Sequence, residues 1–148
     1  MLLSKSCIYG LRASVLLAKK NSSEYITIND LSKELNISFH FLTKVLQQLT
    51  KADLLISFKG PNGGVKLAKP ADQITFREII ISIDEKFTLT DCPLGLPACG
   101  EFAPCPLHDD WQKLQANILQ MTNSVTLAEL SHRQKQLHDH QNTSASKQ

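Results

Sequence analysis

From Cys92 to His108 the chain reads Cys-Pro-Leu-Gly-Leu-Pro-Ala-Cys-Gly-Glu-Phe-Ala-Pro-Cys-Pro-Leu-His, with Cys99 and Cys105 as the inner cysteines. Four prolines and two glycines fall in this stretch. Proline removes an amide donor and fixes φ, so no regular helix or strand can run through it. A loop results, able to fold three sulfurs and an imidazole around one point. Thiolates bind soft metals. A Cys₃His set suits tetrahedral zinc, and three cysteines with a fourth ligand suit an iron–sulfur cluster. A disulfide framework or a linker with incidental cysteines leaves the closing His108 unexplained, whereas metal ligands cluster in this way.

A length of 148 residues, 42% of them hydrophobic, fits one domain or a small domain with an appended helical piece. No apolar run reaches the roughly eighteen residues of a membrane span, so no membrane association is expected. Arg12 interrupts the apolar start and no small-residue cleavage site follows, so no signal peptide is expected. Cysteines without an export signal point to a reducing, cytoplasmic setting and favour metal over disulfide. Charge is uneven. Residues 1–70 hold ten Lys and Arg against four Asp and Glu, while residues 71–148 hold six against ten. A basic first half fits a polyanion such as DNA.

Residues 4–20 read as a helix with Ile8, Leu11, Val15 and Ala18 on one stripe, widened by Leu16 and Leu17, and Cys7 in its first turn reads as a small buried hydrophobe. Thr27 caps a second helix in which Leu31 and Leu35 face inward. Asn36-Ile37-Ser38 is a tight turn, and Ser38 caps a third helix to about Lys51 with Leu42, Val45, Leu46 and Leu49 buried. Two short helices so joined describe a helix-turn-helix. The outer face of the third carries His40, Thr43, Lys44, Gln47 and Gln48, with Ser38 and Phe41 near its start, where base edges are read.

Leu54–Lys59 and Val65–Ala68 are β-prone, and Gly60-Pro61-Asn62-Gly63-Gly64 between them is a hairpin turn. A helix-turn-helix followed by such a hairpin is a winged helix. Lys59, Lys66 and Lys69 stand where phosphates or a minor groove would be met. The turn lacks the Gly-Lys-Ser/Thr run of a phosphate-binding loop. Thr75 and Glu78 form a capping box that opens a short helix ending near Asp84. From Asp109 to about Thr122 a longer helix carries Trp111, Leu114, Ile118 and Met121 as a seam for packing between subunits. Thr126 and Glu129 repeat the capping box and start a last helix to about Leu137.

The expected fold is mainly α with a small β-hairpin wing. A winged helix-turn-helix domain spans 1–84, a cysteine-rich loop 85–108, dimerisation and closing helices 109–140, and a disordered polar tail 141–148. No enzyme is expected, because no oriented third group accompanies Cys105 and His108.

Taken in order, these features resemble the Rrf2 family of bacterial winged-helix regulators, in its IscR-like and NsrR-like cluster-binding branch. The resemblance runs from Leu3 to Leu130. Ser4-Lys5 and Tyr9, Ile37-Ser38 with Leu42, the Gly60–Gly64 turn, Ile83-Asp84-Glu85, the end of the cysteine loop and Thr126–Leu130 carry it. It implies a homodimer whose long helix crosses to its partner, a palindromic double-stranded DNA operator, and a cluster that controls affinity in response to redox state, nitric oxide or iron–sulfur status. It places DNA contacts on Ser38, His40, Phe41, Thr43, Lys44, Lys59, Gly60 and Pro61. It makes Cys92, Cys99 and Cys105 cluster ligands, and sets His108 where a histidine ligates a 2Fe–2S cluster.

Departures from the family pattern carry information. Thr43 stands where IscR-like members have a glutamate used in sequence discrimination, so their operator sequence does not transfer. The cysteine spacing is x6 then x5 rather than x5 twice. Ile8 occupies the position of an acidic ligand that NsrR-like members supply in trans to a 4Fe–4S cluster, and it cannot ligate. Cys7 lies about 100° round the helix from it. A 2Fe–2S cluster with His108 as fourth ligand therefore leads. A 4Fe–4S cluster, Cys7 or an exogenous fourth ligand, a structural zinc on the same residues and a metal-free thiol sensor stay open.

Overall fold

Ser4 starts the fold by accepting the Cys7 amide, at 3.1 Å, as N-cap of α1 (Lys5–Lys20). The structure is a computed structural model that describes residues 2–21, 23–87, 92–96 and 105–133. Cys99, the stretch expected to finish the last helix and the expected 141–148 tail lie outside the described residues.

α2 (Ile28–Leu35) is capped by Thr27 and closed by Asn36 at φ 54°, a left-handed residue that turns the chain within three positions into α3 (Phe39–Lys51). Ser32 braces that turn by donating its hydroxyl to the Ile37 carbonyl at 2.6 Å. α3 buries the expected Leu42, Val45, Leu46 and Leu49. Asp53, left-handed at φ 59°, then leads into β1 (Leu55–Phe58). β1 pairs antiparallel with β2 (Gly64–Leu67), Leu55 opposite Leu67 and Phe58 opposite Gly64. The wing is tied to the helices by Ile26 and Val65, which exchange amide hydrogen bonds at 2.9 Å.

After a 3-10 turn (Ala71–Gln73), α4 (Phe76–Ile83) opens on the predicted capping box. Thr75 accepts the Glu78 amide, and the Glu78 carboxylate accepts the Thr75 amide at 2.7 Å. α5 (His108–Ser124) follows the cysteine segment, and residues 127–133 are helical. The second capping box is present between Thr126 and Glu129. Phe76 donates to the Val125 carbonyl and Leu127 to the Ile74 carbonyl, which binds the far end of α5 to the start of α4. No helix among the described residues is long and apolar enough to cross a membrane.

The core lies where α1, α2, α3 and α4 meet, with Leu31, Leu42, Leu46, Leu49, Ile79 and Ile80 almost fully buried. Burial of each such side chain stabilises by about 1.5–3 kcal/mol. Of the stripe expected on α1, Ala18 and the flanking Leu16 and Leu17 are buried, and Leu11 and Val15 pack against the core from its edge. Ile8, Leu11 and Val15 are half-buried, while Cys7, Gly10, Ala13, Ser14 and Leu17 face the core. Packing distance explains the difference. A side chain on Gly10 would overlap Ile83 Cδ1 and press on Val45 Cγ1, so small residues let α1 lie close to α3 and α4. Ser14 is tolerated there because its hydroxyl donates to the Gly10 carbonyl at 2.7 Å.

Candidate functional site

Two regions hold the residues singled out by sequence, and the first is the cleft between α3 and the wing. It encloses about 740 Å³, and Phe39, Thr43, Gln47, Phe58, Lys59 and Pro61 are among its walls. Ser38, His40, Lys44, Lys59, Gly60 and Pro61 are all exposed. Ser38 is the α3 cap, so its hydroxyl sits at the positive end of the helix beside unpaired amides, where anions are held. Thr43 is half-buried, and its hydroxyl donates to the Phe39 carbonyl at 2.7 Å. Phe41 is half-buried too, its ring meeting Tyr9 edge-on at 5.4 Å. It braces α3 against α1.

The cations of the wing divide. Lys59 reaches solvent at its base. Lys66 lies over the Tyr25 ring at 4.7 Å and donates to the Ser23 carbonyl. Lys69 pairs with Glu78 at 2.8 Å. Burial acts to raise the Glu78 carboxyl, but hydrogen bonds from Lys69 and Thr75 outweigh it and hold the group below the ordinary range. Sequence reading passed over Phe39 and Phe58, which are 45% and 55% exposed. The available signal was a large apolar residue on a face otherwise polar.

The wing turn is closed by the Gly63 amide donating to the Gly60 carbonyl at 3.0 Å. Gly64, at φ +155°, runs against Ile26, whose carbonyl any side chain there would overlap.

The second region is the cysteine site. Cys92 opens a turn closed by the Gly95 amide at 2.9 Å, and Cys105 opens one closed by the His108 amide at 3.0 Å. Both turns deliver their sulfurs to one place, where Cys92 Sγ and Cys105 Sγ stand 3.7 Å apart. His108, the first residue of α5, lines the same pocket of about 130 Å³ with Trp111, Gln112 and Gln115. Cys105 is buried and Cys92 half-buried. Among the described residues no three His, Cys, Asp or Glu side chains converge on one point, and Cys99 lies outside those residues.

A tetrahedral metal with sulfur bonds of about 2.3 Å places two ligand sulfurs about 3.8 Å apart. The Cys92–Cys105 pair has that spacing, with an imidazole in the same wall, so the donor set fits a thiophilic metal or cluster.

Cys7 is elsewhere. It is fully buried in the α1 face of the core, and burial together with the neighbouring Asp84 carboxylate pushes its thiol up to about 12. A thiol so held stays protonated and is not poised to ligate.

The seam residues of α5 divide in the same way. Leu114 and Met121 are each 47% exposed, Ile118 is half-buried and Trp111 turns to the cysteine pocket. Thr122 is the one buried residue that α5 contributes.

Comparison with known proteins gives concordant matches. The family model described as "Rrf2: Iron-dependent Transcriptional regulator" matches residues 3–133. The HTH-type transcriptional regulator NsrR of Oceanobacillus iheyensis is 30% identical over 138 residues, 93% of this chain and 94% of its own. The HTH-type transcriptional regulator IscR of Cronobacter sakazakii is 32% identical over 129 residues, 87% of this chain and 79% of its own. Among solved structures, CymR, the global cysteine regulator of B. subtilis, superposes with a TM-score of 0.76 at 24% identity. That match covers 88% of this chain and 96% of CymR. The T. potens IscR superposes at 0.67 with 23% identity, covering 86% of this chain and 84% of its own.

Proposed function

The chain belongs to the Rrf2 family of DNA-binding transcriptional regulators, and from that premise we propose a homodimer whose grip on a palindromic operator is set by an iron–sulfur cluster. Residues 1–84 read DNA, 85–108 hold the cluster through Cys92, Cys99, Cys105 and His108, and 109–140 join the subunits.

The observation that carries this reading is the 3.7 Å contact of Cys92 and Cys105 in a pocket also lined by His108. Two sulfurs on one tetrahedral edge favour sharing a single metal atom. Each iron of a 2Fe–2S cluster takes two protein ligands, and each iron of a 4Fe–4S cluster takes one, so the spacing favours 2Fe–2S. When bound, such a cluster supplies a centre that reacts with oxidants or nitric oxide. Cys92 and Cys105 hold their sulfurs together, and His108 couples the pocket to the first turn of α5.

At the DNA face, Ser38 and the α3 amides position a phosphate, and His40, Thr43 and Lys44 meet base edges in the major groove. Lys59, Gly60 and Pro61 follow the backbone into the minor groove. Leu114 and Met121 support dimerisation, since an apolar stripe this exposed on a helix with one buried residue needs a partner.

The test is a visible spectrum with iron and sulfide analysis on protein purified without oxygen. Bands between about 320 and 460 nm with two irons and two sulfides per chain are expected from 2Fe–2S charge transfer. One zinc and no colour replaces the cluster with a structural metal. A second reading rests on the same contact. Two thiols this close can close a disulfide with little movement, and a metal-free protein that loses two thiols reversibly on oxidation would select it.

A further inference from the structure

Trp111 stands three residues after His108 on α5, so the two side chains share one face of the helix. The indole lines the pocket that Cys92, Cys105 and His108 also line. Its Nε1 is buried and has no hydrogen-bond partner among the described residues. An indole N–H only donates, and an unmatched buried donor is rare enough to require an explanation. Neutral thiols accept weakly. Sulfur that carries the negative charge of a metal-bound thiolate or sulfide accepts far better.

We infer that the Trp111 indole N–H donates a hydrogen bond to a sulfur of the group held by Cys92 and Cys105, and thereby sets how readily that group is reduced. The inference rests on the cluster reading above. Reduction adds negative charge to the sulfurs, and a donor aimed at one of them favours that state, so the hydrogen bond raises the potential. Trp111 is a positioning residue. It contributes no ligand, and its place in this pocket gives the ring a role beside the subunit seam.

Trp111→Phe keeps an aromatic ring and removes the donor. In the full chain it is expected to load the same iron and sulfide while its reduction equilibrium falls about tenfold, a midpoint lower by roughly 59 mV for one electron. An unchanged midpoint at full loading overturns the hydrogen bond and leaves the cluster reading standing. Should the variant fail to load, the wild type decides. The chain has one tryptophan, so nitrogen-15 in the indole reports on this residue alone. Electron–nuclear double resonance on the reduced wild-type cluster is expected to show coupling to that nitrogen, and its absence overturns the inference. Wild-type protein that takes up no cluster on anaerobic reconstitution overturns the cluster reading and this inference together.

Discussion

Asp84 accepts the Ser4 amide at 2.8 Å and also the Ser4 hydroxyl, joining the end of α4 to the start of α1 across 80 positions of sequence. A carboxylate at a helix N-terminus is stabilised by the dipole as well as by its donors. Asp84→Ala should lower stability by about 1–2 kcal/mol in urea unfolding. Asp84→Asn, which keeps an acceptor oxygen, should lose less. Equal losses would assign the effect to charge alone.

Cys7 makes that junction sensitive to alkaline pH. Its folded-state thiol is raised above its ordinary value of 9.0 to about 12, by burial first and by Asp84 second. The fold therefore favours the protonated form. This contribution is complete below about pH 9 and is lost as pH climbs toward 12. Stability of the wild type should fall over that interval, and Cys7→Ala should flatten the slope while costing about 1–2 kcal/mol at neutral pH. Iodoacetamide at pH 8 should leave Cys7 unmodified until the protein unfolds.

Gly64 fixes the register of the wing. Gly64→Ala places a methyl against the Ile26 carbonyl at a φ of +155°, so the strand must move. A loss of about 2 kcal/mol or more is expected on thermal unfolding, together with loss of operator binding. Retained affinity at wild-type stability would remove the wing from DNA recognition.

Lys59 should affect DNA and nothing else. Lys59→Gln is expected to weaken operator binding about tenfold and to reduce the salt slope by about one, with iron content unchanged. Loss of affinity and cluster together would contradict the division between the two regions.

On α5, Leu114→Glu combined with Met121→Glu should shift the protein to monomer in sedimentation without unfolding residues 5–83. A stable dimer of that variant would move the subunit interface elsewhere.

Much of the fold was legible because its signals are local. Thr27, Ser38 and Thr75 are caps whose oxygen needs only the next turn, and all three make the predicted bond. The α3 stripe was legible for the same reason. On α1, Cys7, Leu16, Leu17 and Ala18 were legible, but the small Gly10, Ala13 and Ser14 were not, because their burial is set by how closely α3 and α4 approach and Gly10 gives no hydrophobic signal. Lys69 looked available for phosphate because its partner Glu78 is nine positions away on another element. At the cysteine site, composition indicated the donor types. That Cys92 and Cys105 meet, and that Trp111 turns toward them, depends on two turns and a helix start that spacing alone does not orient.

α5 is tied to α4 at its far end and to the cysteine segment at its start. Thr122 and the Val125 carbonyl hold its far end to the body, while His108 stands at the other, about 21 Å away at the helical rise. The helix is thus a rod with its fulcrum beside α4 and its load at the sulfurs. A pivot of about 10° at Thr122 carries His108 by about 4 Å over that length. Along the same rod Leu114 lies about 12 Å from the fulcrum and Met121 about 1.5 Å, so a turn at the sulfurs moves the first of these exposed side chains and leaves the second nearly in place.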